Sequence, residues 1–507
     1  MRSTPARTVD PYDALNGPRR RLVACALLAC AFLAMLDGTV VGTALPSIVE
    51  QTGGGHTWYV WLVTAYLLTS SVSVPVYGRL SDLYGRRCFL LGGLGIFLIG
   101  SLACGLADSL PALIASRAVQ GLGAGALLTL GMALLRDLYP PERGVGLVRM
   151  QTVLALMTIL GLVGGPLVGG LLTDHADWRW AFWINLPLGL AAALILLRAL
   201  PDRRPPAGGS LSPSSGQRLD TAGILLLAAG LSLVLISLSL KGNAAGAHPA
   251  RWTDVALAGP LLGGLALLAL LLPVERRAAL PILPLRLFGH RPYGALLTAG
   301  FFFQAAALPL SVLLPLYFQH VRGHSATMSG LLLLPFLSGM VLGNRLTAAV
   351  ILRTGRTKPV LLAGAGLLTL GSGSFLVLDA ATPAALTALW LLLAGLGAGP
   401  AMGGLTIATQ NCVPRPDMGA ATAGSALTKQ LGGAVGLAVA QTFLSSHGPV
   451  PDATTIGYVV GVMGILGGLL VIAVLLPTRD VTLSAVSPRG RPRVGTRGPG
   501  EDERART

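Results

Sequence analysis

Two charged residues stand where charge is expensive. Asp37 lies in LDGTVVGTALPSI and Arg117 in RAVQGLGAG, each inside an apolar run of membrane-spanning length. A charged side chain at the centre of a bilayer costs about 2.5 kcal/mol or more unless it faces a protein interior or a water-filled cavity. Asp37 is the only carboxylate well inside any such run. At about 1.5 Å per residue it sits about 22–24 Å from the cytoplasmic end of its helix, and Arg117 about 27 Å from the inner end of its own, so their depths agree within about one turn. Such a pair would do proton chemistry across the cavity of the first half: the arginine keeps the carboxylate ionised until substrate or a conformational change releases it for protonation. Two plainer readings stay open, an aspartate bonded to span hydroxyls such as Thr39 and Thr43, and an arginine bonded to backbone carbonyls.

Further polar side chains in apolar runs are candidates to line a cavity: Tyr66, Gln120 one turn beyond Arg117, Gln304, Tyr317, Arg345 and Lys429. Three embedded cations (Arg117, Arg345, Lys429) against one anion favour neutral or anionic amphiphiles over lipophilic dications, provided backbone carbonyls do not neutralise them all. Phe303 and Gln304 are adjacent on a helix and cannot both face inward.

Glycine patterns set how these helices approach each other. In GLVGGPLVGG, residues Gly161, Gly165, Pro166, Gly169 and Gly170 recur at helical-face spacing, which allows close packing and a proline kink. In GRLSDLYGRR, residues Gly78, Asp82, Gly85, Arg86 and Arg87 suit a very short cytoplasmic turn, with Asp82 capping a helix or pairing with an arginine. A plain structural turn would also explain that stretch.

The elements that must position these groups follow from composition. Of 507 residues, 53% are hydrophobic and 11% charged, against roughly 25% charged in a soluble domain. Leu/Ala/Val runs about 20 residues long predict an all-α polytopic membrane protein. The expected organisation is an N-tail at 1–21, a six-helix bundle at 22–198, a Pro/Gly/Ser/Arg linker at 199–218, an extra helix pair at 219–273, a cytoplasmic loop at 274–291, a second six-helix bundle at 292–476 and a basic disordered tail at 477–507. That gives fourteen spans with both termini cytoplasmic, a topology that puts 30 of the 37 Lys and Arg inside. The net charge of +16 then reflects membrane topology, and no nucleic acid partner is expected.

Several functions are excluded by what the chain lacks. The lysines are Lys241, Lys358 and Lys429, followed by Gly, Pro and Gln, so no phosphate-cradling GxxxxGK[ST] loop exists, nor does HExxH or GxSxG. The five cysteines show no CxxC spacing, and no metal site is expected. The chain is therefore not read as an enzyme, and a secondary transporter is the expected class.

At these residues the sequence resembles the major facilitator superfamily: the GRLSDLYGRR loop, the RxxQGxG at Arg117 and the GxxxGPxxGG at Gly161, the last being similar to its antiporter motif. LDGTVVGTALP, WRWAFWINLPLG at Trp178 to Gly189 and LPLYFQHVRGHSATMSGLLLLP at Leu314 to Pro335 resemble the fourteen-helix drug:proton antiporter branch (EmrB/QacA type). The chain departs from that branch at Gly42, where an Asn is usual, and in having no further acids in the spans of its second half. The resemblance implies two six-helix bundles plus two extra central helices, and export of an amphiphilic drug or antibiotic in exchange for protons, conferring resistance. It implies Arg79, Arg86 and Arg87 as a latch between halves. Asp37 and Arg117 stay the coupling pair read from their depths, with the proton gradient in place of a cofactor, and a monomer in the lipid bilayer of a bacterial cytoplasmic membrane is expected. The competing expectations are a proton symporter taking up a small metabolite and a non-transporting membrane sensor.

Overall fold

The computed structural model describes residues 15–52, 59–139, 145–201, 221–243, 254–278, 287, 291–413, 418–445 and 452–480. Most of the expected linker at 199–218, of the tail at 477–507 and of the loop at 274–291 falls outside them. The first half comprises α1 (Gly17–Gln51), α2 (Tyr59–Tyr84), α3 (Arg86–Gly105), α4 (Leu110–Leu138), α5 (Val145–His175), and the short α6 (Trp180–Trp183) leading into α7 (Asn185–Ala199). Two helices follow, α8 (Thr221–Asn243) and α9 (Val255–Arg277). The second half holds α10 (Arg291–Leu316) with one π turn to Val321, α11 (Ala326–Thr354), α12 (Lys358–Gly373), α13 (Ala384–Ala398), α14 (Gly404–Asn411), α15 (Met418–Ser445) and α16 (Ala453–Leu475).

Local chemistry sets the ends. α1 starts five residues before its apolar run because Asn16 Oδ1 accepts from Arg19 N at 3.2 Å and Pro18 occupies the first turn. The expected turn at GRLSDLYGRR is shorter than its glycines suggest. Gly78 and Asp82 belong to α2, and the break is Gly85 alone, whose φ of 100° needs a residue without a Cβ. The side chain of Asp82 lies outside what is described.

Fourteen spans are corrected by the helices themselves. Among the described residues eleven helical runs, counting α6 with α7 and α13 with α14, are long and apolar enough to cross a membrane. α15 falls short, since it carries Lys429, Gln430, Gln441 and five glycines and packs them against α10, α8 and α2. α2 and α8 contain residues outside what is described, and their described stretches alone are shorter than a span, Ala222–Val234 in α8.

Packing is dictated by small residues. A Cβ on Gly161 would lie 2.7 Å from the Phe32 carbonyl, on Gly165 1.9 Å from Thr39 Oγ1 and on Gly169 2.3 Å from the Val40 carbonyl, so α1 and α5 run parallel in backbone contact. Thr39 Oγ1 donates to the Gly161 carbonyl and Thr43 Oγ1 to the Pro166 carbonyl. Their C-terminal ends meet where Trp178 Nε1 donates to Gln51 Oε1 at 3.0 Å. On the same membrane face α5 reaches α11: Asp174 accepts from Ala326 N at 3.0 Å and Thr327 N at 2.7 Å, and Gln319 Nε2 donates to the Thr43 carbonyl. α11 then runs back to the opposite face. There Lys358 Nζ donates to the Leu476 and Thr478 carbonyls at the end of α16, so residues 17 and 480 share one face. The contacts that tie the halves through α5 and α11 lie on the other, here called distal.

Candidate functional site

Five helices of the first half deliver one buried polar cluster. α1 brings Asp37, α2 Tyr66 and the Leu62 carbonyl, α3 Ser101, α4 Arg117 and Gln120, and α7 Asn185. Asp37, Ser101, Gln120 and Asn185 are 0% exposed and Arg117 1%, so the site is dry. Arg117 donates to Asp37 Oδ2 at 2.8 Å, to Gln120 Oε1 at 2.6 Å and to the Leu62 carbonyl at 3.3 Å, and its guanidinium lies 4.1 Å from the Tyr66 ring centroid. The other oxygen, Asp37 Oδ1, accepts from Gln120 Nε2 at 2.7 Å and Asn185 Nδ2 at 2.9 Å. Ser101 Oγ takes the second hydrogen of each amide, at 2.6 Å and 3.0 Å.

The two charges expected at matched depth therefore meet directly, inside the first bundle. Of the two plainer readings, Thr39 and Thr43 donate to carbonyls of α1 and α5 and leave Asp37 alone, whereas Arg117 does bond one backbone carbonyl, that of Leu62, beside its carboxylate. Charges removed from water are tolerated only with close pairing and satisfied lone pairs, and removing one partner strands the other at a cost of about 3–5 kcal/mol. Ser101 and Asn185 escape the sequence reading. Asn185 sits in WINLPLG as the one amide of its span, a usable signal, whereas nothing marks Ser101. Gly100 explains how α3 comes so close: a Cβ there would lie 2.5 Å from Gln120 Cα.

The remaining first-half residues serve the surroundings. Gly161, Gly165 and Gly169 face α1, while Pro166 and Gly170 face α11, where a Cβ on Gly170 would lie 2.6 Å from the Ala326 carbonyl and one on Gly330 2.4 Å from the Pro166 carbonyl. Arg86 pairs with Asp137 at 2.6 Å and Arg87 donates to the Leu197 carbonyl at 2.7 Å, both partners lying within the first half. The side chain of Arg79 lies outside what is described.

The second-half candidates do not gather. Tyr317 is buried with its hydroxyl donating to the Asp379 carbonyl at 2.9 Å. Gln304 is half-buried against Gly433 of α15, and Phe303 beside it is fully buried. Arg345 is exposed, because Gly339 and Gly343 set the packing face of α11 against α13 and Arg345, two residues on, turns away with Leu342 and Leu346. Lys429 reaches the break between α13 and α14, 3.4 Å from the Ala401 carbonyl and 3.5 Å from Thr406 Oγ1. Among the described residues no three His, Cys, Asp or Glu gather to hold a metal.

Comparison with known proteins agrees with this architecture. The profile of the Major Facilitator Superfamily matches residues 27–437. An uncharacterised MFS-type transporter of Mycobacterium tuberculosis strain H37Rv is 35% identical over 426 residues, a match covering 84% of this chain and 59% of that protein, so the chain spans less than two thirds of this relative's length. The multidrug transporter MdtP of Bacillus subtilis is 33% identical over 423 residues, covering 83% and 74%. The efflux pump dotC of Dothistroma septosporum is 32% identical over 446 residues, covering 86% and 74%. Among solved structures, an auto-inhibited POT family peptide transporter superposes with a TM-score of 0.64 at 15% identity over 92% of this chain and 99% of that one. A bacterial homologue of the lysosomal transporter Spinster, inward-facing and occupied, gives 0.61 at 12% over 91% and 96%; at such identities the likeness speaks for the fold alone. With the family profile spanning most of the sequence and the helices packed in two halves, the chain belongs to the major facilitator superfamily of membrane transporters.

Proposed function

We propose that the protein is a proton-coupled exporter of amphiphilic drugs or antibiotics in a bacterial cytoplasmic membrane, with Asp37 as the proton carrier and both chain ends cytoplasmic. One observation carries the reading: a fully buried carboxylate held by one arginine and two amides. Protonating Asp37 removes the countercharge of Arg117, which must then lean on the Gln120 and Leu62 carbonyl oxygens and the Tyr66 face. That shift loads α1, the helix whose Thr39 and Thr43 bond α5, and α5 carries Pro166 and Gly170 against the other half. A change of charge at Asp37 thus has a mechanical route to the contact that closes the distal face. Each proton moving inward supplies about 2.3 kcal/mol per 100 mV, enough to drive a neutral or anionic compound outward against a tenfold gradient. The efflux and multidrug names of the relatives support the direction of transport.

Growth inhibition of an efflux-deficient bacterium expressing the protein, across neutral, anionic and cationic antibiotics, tests this. Protection by the wild type that disappears with equally expressed Asp37→Asn is the expected result. Protection retained by Asp37→Asn would place the coupling elsewhere.

A further inference from the structure

Among the described residues Lys429 is an ammonium without a countercharge. It lies about 17 Å into α15, and its Nζ has two contacts there, the Ala401 carbonyl at 3.4 Å and Thr406 Oγ1 at 3.5 Å, both at the outer limit for a hydrogen bond. No chain carboxylate of the second half is available at that depth. Between residues 292 and 476 the sequence has three acids, Asp379, Asp417 and Asp452, all outside the apolar runs. Asp37 is already taken by Arg117.

The surroundings of Lys429 are shaped to its side chain. Gly300 of α10 gives room to the lysine stem, since a Cβ there would lie 3.1 Å from Lys429 Cγ. Ala401 closes the single 3-10 turn, Gly399–Ala401, that splits this span into α13 and α14, so backbone is interrupted beside the ammonium. Helices interrupted beside a charged group form the binding sites of many secondary transporters, near the bilayer midplane. A second, independent feature points the same way. Ser425, one turn before Lys429 on the same face of α15, is 1% exposed, and its hydroxyl has no hydrogen-bond partner among the described residues.

We propose that Lys429, with Thr406 and Ser425, forms an anion-recognising site in the second half that takes the carboxylate or other acidic group of an amphiphilic substrate. The ammonium supplies the charge and the unpartnered Ser425 hydroxyl donates to another of the anion's oxygens, while Thr406, whose hydroxyl donates to the Met402 carbonyl at 3.1 Å, accepts from the ammonium and positions it. This names the substrate class of the exporter and rests on the export reading for the fate of the bound anion, whereas its recognition is separately measurable.

The test is a fluorescence binding titration of the purified full chain with three matched probes: dansylphenylalanine, its neutral methyl ester, and a cationic dansyl amine. Wild type should bind the carboxylate about tenfold or more tighter than the ester, and Lys429→Gln should erase that preference while leaving the ester within about twofold. Lys429→Arg should keep it, and Ser425→Ala should weaken the acid alone. Equal affinity of the wild type for acid and ester, or an unchanged acid affinity in Lys429→Gln, overturns the proposal. Should the glutamine variant fail to fold, a Lys429→Arg protein that folds yet shows no carboxylate preference does so as well. Carboxylate-selective binding through Lys429, combined with no export in proteoliposomes, would uphold the site and sink the export reading.

Discussion

Arg117 in the first half and Lys429 in the second are both set well inside the helices, yet protein solvates them differently. Arg117 meets a carboxylate at 2.8 Å within a cluster in which the carboxylate accepts three hydrogen bonds. Lys429 meets a carbonyl and a hydroxyl at 3.4 and 3.5 Å. A closed ion pair offers nothing to a passing anion, whereas an open ammonium does. On this account the two halves of one fold divide the labour, coupling in the first and recognition in the second.

The same operation, deletion of a cation set inside the helices, should therefore have opposite signs in the two halves. Arg117→Ala strands Asp37 and should cost about 3–5 kcal/mol, read as a large fall in thermal midpoint in detergent. Adding Asp37→Asn to that variant should recover most of the loss, since no charge is then left uncompensated. Lys429→Met should raise stability by roughly 1–3 kcal/mol, because it replaces an unpaired charge with an apolar chain of similar length. A destabilised Lys429→Met protein would erase the contrast.

Two carboxylates at helix starts sharpen the comparison at smaller scale. Asp174 of the first half caps α11 of the second through the Ala326 and Thr327 N–H groups. Asp174→Asn should weaken that contact by about 1–2 kcal/mol, a roughly tenfold population shift toward a distally open state. Distances between spin labels on the distal ends of α5 and α11 would show it. Asp452 caps only its own helix, α16, where hydrogen bonds from Thr455 hold its carboxyl below the usual carboxylate range. Asp452→Ala should cost about 1 kcal/mol in melting near neutral pH with no change in those distances. Because the folded form has the lower pKa, that stabilisation is complete above the unfolded value of about 4 and fades as pH falls through the folded one. The gap between variant and wild type should close in acid.

How much of this was legible in the sequence divides along the same physical lines. Matching depths brought Asp37 to Arg117, and helical spacing added Gln120, because both arguments need only the rise and turn of a helix. Ser101 and Asn185 enter from α3 and α7, whose registers are set by tight approaches at Gly100 and Gly189, where a Cβ would lie 2.5 Å from Gln120 Cα and 2.4 Å from Leu98 Cδ2. No one-dimensional pattern encodes such registers. Apolar runs read α15 as a span like the others, whereas its Lys429, Gln430, Gln441 and five glycines make sense only against neighbouring helices. Arg345 and Lys429 looked alike in sequence, and the glycine face of α11 is what turns Arg345 outward.

The central claim is that the Asp37 carboxylate couples proton movement to transport, and proteoliposomes separate coupling from movement most directly. Accumulation of a substrate against its gradient, driven by an imposed pH difference, would be measured beside one-for-one substrate exchange with no gradient, for wild type and Asp37→Asn. The account predicts that Asp37→Asn keeps exchange and loses pH-driven accumulation. Undiminished pH-driven accumulation by Asp37→Asn would contradict it.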